Sequence, residues 1–201
     1  VLMSLEKGSN TNHPSIIDYK GNSYFFYHND ALPEGHSYCR SVCVEQFTYN
    51  PDGTIPQLHM TDEGIKKGVG TLNPYKRTEA ETRAWAQGVV SATDKETGVY
   101  ITSIHNTDYI KVRDVDFGSK GASQFTASAS SRYHGGEIEL RIDSLEGDVI
   151  GSLKIPYTGE WNNWEQHSTN VKTTKGVHDL YLIFKGRTPH ELFNFDYWMF
   201  K

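Results

Sequence analysis

A two-residue alternation constrains this chain more than any other feature. In Glu137–Asp143, Ile138, Leu140 and Ile142 alternate with Glu137, Glu139, Arg141 and Asp143; in His178–Phe184, Leu180, Leu182 and Phe184 share one side. Successive side chains of an extended strand point to opposite faces, so each segment buries one face and wets the other. Six further runs, VYITSI, DYIKVRDVDF, SQFTASAS, VIGSLKI, WEQHSTNV and FNFDYWMF, are separated by Gly, Asn, Asp or Pro. Short strands with regular turn punctuation and no helical period predict an antiparallel sandwich or barrel. Residues 74–201 have a suitable length for one such domain.

The first sixty residues read differently. SIIDY and SYFFYH flank Lys20-Gly21-Asn22, a compact hairpin signal. HSYCRSVCVEQFTYN is a long extended run, Asn50-Pro51-Asp52-Gly53 makes a turn, and TIPQL returns. About four strands close no core, so residues 1–60 are expected to be a portion of a larger β-structure. Residues 61–73 are polar, carry Gly and end near a Pro, which reads as a linker with room for a helical turn in TDEGIKK. The opening VLMSLEKGSN has neither signal-peptide nor transit-peptide character and reads as the interior of a longer protein. Cys39 and Cys43 would lie about 13 Å apart on a strand, too far for a disulfide, and are expected to be free buried thiols. No second Cys/His pair completes a zinc signature. A net charge of −5 argues against nucleic acid, and no apolar run is long enough to span a membrane.

Two groups of residues could carry function. Glu79 and Glu81 stand two apart in RTEAETRAW, which reads as the opening of the first strand of the sandwich and would put them on one face, and Asp196 lies in the last strand. First and last strands often lie side by side, which would gather three carboxylates. Either a cation such as Ca²⁺ sits among them, or they are solvated or paired with Arg77, Arg83 and Lys201. Tyr109 and Trp161 stand outside the apolar pattern at loop–strand junctions. They are either core or interface residues, or flat platforms for a sugar ring, with an amide such as Asn194 fixing its orientation. Trp164 and Trp198 fall within strand patterns and are expected in the core.

The combination of EAE, NTDYIKVRDVDFG, TGEWNNW, GVHDLYLIFKG and LFNFDYWMF, in that order, resembles carbohydrate-binding module family 6 over roughly Lys76 to Lys201. The resemblance implies a jelly-roll-like β-sandwich that binds xylan or related β-glycans. It implies that Tyr109 and Trp161 sandwich a sugar, that Asn194 bonds to it, and that Glu79, Glu81 and Asp196, with backbone carbonyls, hold a structural Ca²⁺. The family's NGDY reads NTDY here, so Thr107 could reshape the loop beside the site. Some members use a second cleft on the sheet face, whose residues the sequence does not assign.

NHPSIIDYKGNSYFFYHN followed by HSYCRSVCVEQFTYNPDGTIP resembles the last blade of the five-bladed β-propeller of glycoside hydrolase family 43, over about Asn12 to Gln57. The resemblance implies a parent enzyme that inverts configuration with two carboxylates. No segment here matches them, so no catalytic acid or base is named. His13 resembles the family histidine at the propeller axis, or is a turn residue; Arg40 resembles an arginine lining the active site, or is a surface charge. Asp52 and Glu45 read as a turn residue and a solvated face. The expectation is a secreted, extracellular fragment whose module binds xylan, arabinoxylan or xylo-oligosaccharides and targets a plant cell-wall glycosidase, an α-L-arabinofuranosidase, to its substrate, with the missing N-terminal propeller part as its partner. A β-xylosidase or xylanase parent, or a purely structural sandwich, is the alternative.

Overall fold

The computed structural model describes residues 2–6, 11–31, 35–61, 64–66, 68–187 and 189–201. The described residues contain strands and turns but no α-helix. They divide into two compact units, Val1–Val69 and Gly70–Lys201. TDEGIKK falls partly on positions 62, 63 and 67, outside the described residues.

In the first unit, β1 (Ser15–Tyr19), β2 (Asn22–Asn29) and β3 (Ser41–Phe47) form an antiparallel sheet in that order. Tyr19 pairs with Asn22 across a two-residue loop in which Lys20 (φ 51°) and Gly21 (φ 75°) are both left-handed. That is the turn whose twist suits a hairpin, and Gly21 takes it without strain. TIPQL forms no strand; Leu58 makes an isolated parallel bridge to Met3. Asp52 does sit in the turn, where its carboxylate accepts from the Thr54 amide (3.0 Å) and hydroxyl (2.6 Å). Glu45 is not on a solvated face. It is buried and accepts from the Tyr27 hydroxyl, the Thr61 amide and the Thr61 hydroxyl, each at 2.9 Å. Both cysteines are free, but Cys39 is exposed, because a tight turn with His36 carries it off the strand.

The second unit is a two-layered sandwich. One sheet runs β11 (Val149–Ile155), β10 (Gly136–Ile142), β13 (Val177–Lys185), β8 (Tyr109–Asp116), β5 (Trp85–Gln87). The other runs β12 (Glu165–Asn170), β9 (Gln124–Ser130), β14 (Asn194–Phe200), β7 (Gly98–Thr102), β6 (Val90–Asp94), with β4 (Thr78–Glu79) also paired to β14. The alternating residues do what the pattern demands: Ile138, Leu140, Leu180, Leu182 and Phe184 from one sheet meet Phe125, Phe195, Trp198 and Phe200 from the other in one core. Each such side chain contributes about 1.5–3 kcal/mol by leaving water.

Two register shifts reconcile the sequence with a single core. Phe195 and Trp198 both point inward although they are three residues apart, because β14 carries a bulge at Asp196. On β8, Ile110 and Val112 share the core with Val115 and Phe117, and the change of parity falls at Asp114, whose φ is 53°. An extra residue bends the strand and re-aims a side chain.

Candidate functional site

Strand directions bring four sheet-to-sheet connections, residues 103–108, 131–135, 156–164 and the described parts of the last, 186–187 and 189–193, to one end of the sandwich. They are laced together: the Ser131 hydroxyl donates to the Leu192 carbonyl (2.7 Å), the Thr158 amide to the Ser131 carbonyl (2.9 Å), and the Leu192 amide to the Ile104 carbonyl (2.8 Å). A surface built on short, cross-bonded loops over a rigid core is well suited to hold side chains in place for a ligand.

Trp161 lies in this end, half-buried, with its ring edge-on to Tyr133 at 5.6 Å. Its backbone carbonyl accepts from the Ser130 hydroxyl (2.6 Å) and from the Asn194 amide nitrogen (3.1 Å). The Asn194 amide oxygen in turn accepts from the Thr102 hydroxyl (2.7 Å). Asn194 therefore ties three strand ends to the Trp161 loop and is itself buried. Tyr109 opens β8. Its neighbours Ile110 and Val112 point into the core, so Tyr109 points to the outer face, where its ring lies 6.2 Å from Tyr181. Trp198 is in the core as expected, whereas Trp164 is half-buried against Tyr100 at 5.3 Å.

Thr107, two residues before Tyr109, has a φ of 77° and donates its amide to the Phe184 carbonyl at 2.8 Å. A branched residue here holds a conformation that glycine takes freely, and pays strain for it.

The carboxylates lie on β4, the turn after it, and the β14 bulge. Strand β4 covers Thr78–Glu79 alone, so Glu81 lies in a turn rather than on a shared strand face with Glu79. Arg77 stands between Glu79 (2.8 Å) and Asp196 (3.4 Å). Among the described residues no group of three or more His, Cys, Asp or Glu side chains is arranged to hold a metal ion. The electrostatics nevertheless favour a cation. Burial raises the Asp196 carboxyl above its ordinary range; Arg77 opposes this, and the Glu79 and Glu81 charges add to it. Glu81 Oε2 is buried without a hydrogen-bond partner. Hard oxygen donors left in that state suit Ca²⁺.

Sequence reasoning missed several residues of this unit. Tyr133 and His190 (5.8 Å) and His190 and His134 (5.9 Å) extend the ring contacts outward from Trp161. On the outer face of the first sheet, register places Trp85, Lys111, Tyr181 and Arg141 in one cross-strand row. Lys111 pairs with Asp179 at 2.7 Å and lies over the Tyr181 ring at 5.4 Å. Loop residues have no period to betray them, and Trp85 sits on a three-residue strand too short to show one.

In the first unit, His13 and His28 meet edge-on at 5.0 Å, and Arg40 Nη1 reaches His28 Nε2 (3.3 Å) and the Thr11 hydroxyl (3.1 Å). The structure thus groups the two singled-out residues through His28, which the sequence did not suggest. Partial burial, then the charges of Arg40 and His13, hold His28 below its ordinary range.

A β-sandwich whose laced loop end presents aromatic side chains has the build of a binding module. Residues 79–201 match the family model of "Carbohydrate binding module (family 6)", and the chain belongs to that family. Over 94% of its length the chain is 36% identical to an arabinoxylan arabinofuranohydrolase of Paenibacillus polymyxa, of which it spans 31%. The corresponding figures for the arabinoxylan arabinofuranohydrolase of Bacillus subtilis are 36% identity, 92% of this chain and 38% of the relative. The chain therefore spans about a third of the curated relatives it matches. A crystal structure of a glycoside hydrolase family 43 arabinoxylan arabinofuranohydrolase from Bacillus subtilis, in complex with cellotetraose, superposes with a TM-score of 0.82 at 32% identity, covering 96% of this chain and 43% of that one. A family 6 module from Clostridium cellulolyticum in complex with xylose gives 0.62 at 35% identity, covering 65% of this chain and 99% of that one.

Proposed function

We propose that the sandwich grips xylan or arabinoxylan chains and holds a polysaccharide-degrading enzyme on its insoluble substrate. The observation that carries the reading is Trp161: a flat, half-buried ring at the loop end whose backbone carbonyl is pinned by Ser130 and Asn194. Sugar C–H groups pack on such a platform. Tyr109 supplies the second aromatic surface, and Asn194, buried behind the Trp161 carbonyl, would donate its remaining N–H to a sugar hydroxyl that reaches down to it. The relative captured with xylose favours a pentose ligand. Tethering raises the local substrate concentration without new chemistry.

The parent enzyme in this reading is an α-L-arabinofuranosidase, in keeping with the relatives matched along nearly the whole chain. The three-stranded sheet of the first unit is read as part of the last blade of a five-bladed propeller, with His13 and Arg40 at the edge of an active site whose acid and base lie elsewhere. An insoluble wall polymer stays outside the cell, so the protein is read as secreted. Glu79, Glu81 and Asp196, with backbone carbonyls, would hold a Ca²⁺ ion that neutralises their mutual repulsion. The row of Trp85, Lys111 and Tyr181 offers a second sugar-binding surface on the sheet face.

The test is a titration of the chain with xylo-oligosaccharides, cello-oligosaccharides and arabinoxylan fragments by calorimetry. A shallow site predicts dissociation constants of about 0.1–1 mM for the xylose-based ligands, which is roughly 4–5.5 kcal/mol. Heat with none of these ligands would overturn the reading and leave a structural sandwich.

A further inference from the structure

An open pocket of about 610 Å³ lies at the loop end on the outer side of the first sheet, lined by His134, Gly135, Gly136, Glu137, Lys154, Lys185, Gly186 and Arg187. Its backbone is bare for a steric reason. A Cβ on Gly135 would meet the Ile155 carbonyl oxygen at 1.9 Å, and one on Gly186 would meet Leu192 at 2.4 Å. Bare backbone leaves room for a ring-sized ligand to come close. Three cations line the pocket against one carboxylate, on a chain whose net charge is −5. Register sets Glu137 between Lys185 and Lys154 on adjacent strands. Lys185 is already committed to Glu139. The Lys154 and Arg187 side chains belong to exposed residues and, among the described residues, form no ion pair or hydrogen bond. The pocket is also continuous with the platform, because the ring contacts Trp161–Tyr133, Tyr133–His190 and His190–His134 end on one of its lining residues.

We propose that this pocket is a subsite for a carboxylate-bearing sugar, a uronic acid substituent on the polysaccharide whose backbone lies on Trp161. The inference rests on the sugar-binding reading above and adds an acidic side group to it. Arg187 offers a planar fork to a carboxylate, Lys154 a point charge on the opposite strand, and the glycine backbone space for the ring. Glu137 accepts from a ring hydroxyl and disfavours a second negative charge, which selects a single carboxylate over a doubly charged phosphate.

The experiment compares three oligosaccharides of equal backbone length: unsubstituted xylotetraose, xylotetraose bearing one glucuronic acid, and the same compound with its carboxyl reduced to an alcohol. Calorimetry on the wild type is expected to show about tenfold tighter binding for the acid form than for the other two, shrinking as salt rises. In the Lys154→Gln/Arg187→Gln double variant the ratio of acidic to neutral affinity falls to about one. Equal affinities of the acid and reduced forms for the wild type would overturn the subsite while leaving the platform intact. Binding of none of the three would sink both. Competition by inorganic phosphate as strong as by free glucuronate would also overturn it, because the pocket would then be a bare anion site.

Discussion

The two units are built from the same kind of strand and differ in how they finish their surfaces. In the sandwich, every strand of seven or more residues sends side chains into a core shared by both sheets, and residues as large as Trp198 and Phe195 lie fully inside. In the first unit, among the described residues, the buried cluster is Met3, Phe25, Tyr27, Phe47, Leu58 and Met60, and all five residues of β1 are exposed, with Ile17 and Tyr19 nearly half accessible. Local hairpin chemistry can specify strands, but a stable unit needs a second layer to cover them. Among the described residues, one unit contains its second layer and the other shows a single three-stranded sheet.

The largest way to break this contrast is to separate the units. Residues 70–201 expressed alone are expected to unfold in one cooperative transition with a stability in the usual range of about 5–15 kcal/mol, and residues 1–69 alone to show no cooperative transition. A cooperative melt of the short piece, followed by circular dichroism and amide exchange, would show that its small core suffices.

A second test concerns the charge within the sandwich. The Asp196 carboxyl is raised by burial and by its acidic neighbours. A raised carboxyl contributes stability below its unfolded value and loses it as pH rises through its folded value, so at neutral pH the ionised group costs stability that a cation would relieve. Ca²⁺ is therefore expected to raise the melting temperature of the sandwich at pH 7. At a hundredfold excess over its dissociation constant the gain is about 2.7 kcal/mol. The gain shrinks as the pH falls toward the raised Asp196 value and disappears in Asp196→Ala. A melting curve indifferent to Ca²⁺ and to a chelator would assign the cluster to Arg77 alone.

A smaller effect sharpens the account at the loop end. Thr107 holds a φ of 77° that costs a branched residue about 1–2 kcal/mol. Thr107→Gly is expected to recover about 1 kcal/mol in urea unfolding, part of the relief being offset by the extra freedom of glycine in the unfolded chain. A loss of stability would mean that the threonine side chain makes a compensating contact.

How much could be read from the sequence follows the same division. Strands β7 to β14 were legible as short runs between turn residues, and β10 and β13 most plainly because their alternation reports one buried face, whereas β9 is buried on both faces and β12 on neither. The short strands β4, β5 and β6 were not, since two to five residues with mixed exposure carry no period. Glu45 misled for a related reason: a charged residue reads as solvated, and only the fold brings Tyr27 and Thr61 to it. At the site, Tyr109 and Trp161 stood out as exceptions to the pattern and Asn194 came in only as a neighbouring amide and through the family resemblance; the bond from Asn194 to the Trp161 carbonyl joins residues 33 apart in sequence and depends on the fold bringing the start of β14 to the 156–164 loop. Tyr133, His190 and the lysines of the pocket belong to loops and outer faces, where nothing in the sequence separates a ligand contact from ordinary surface.

The most direct test of the central claim is a tryptophan fluorescence titration with xylo-oligosaccharides, comparing the wild type with Trp161→Ala. The account predicts a saturable signal in the wild type and at least about a hundredfold loss of affinity in the variant, corresponding to roughly 2.7 kcal/mol, with the melting temperature of the sandwich little changed. A variant that binds as tightly as the wild type would contradict the placement of the sugar at the loop end and shift the site to the outer face of the first sheet.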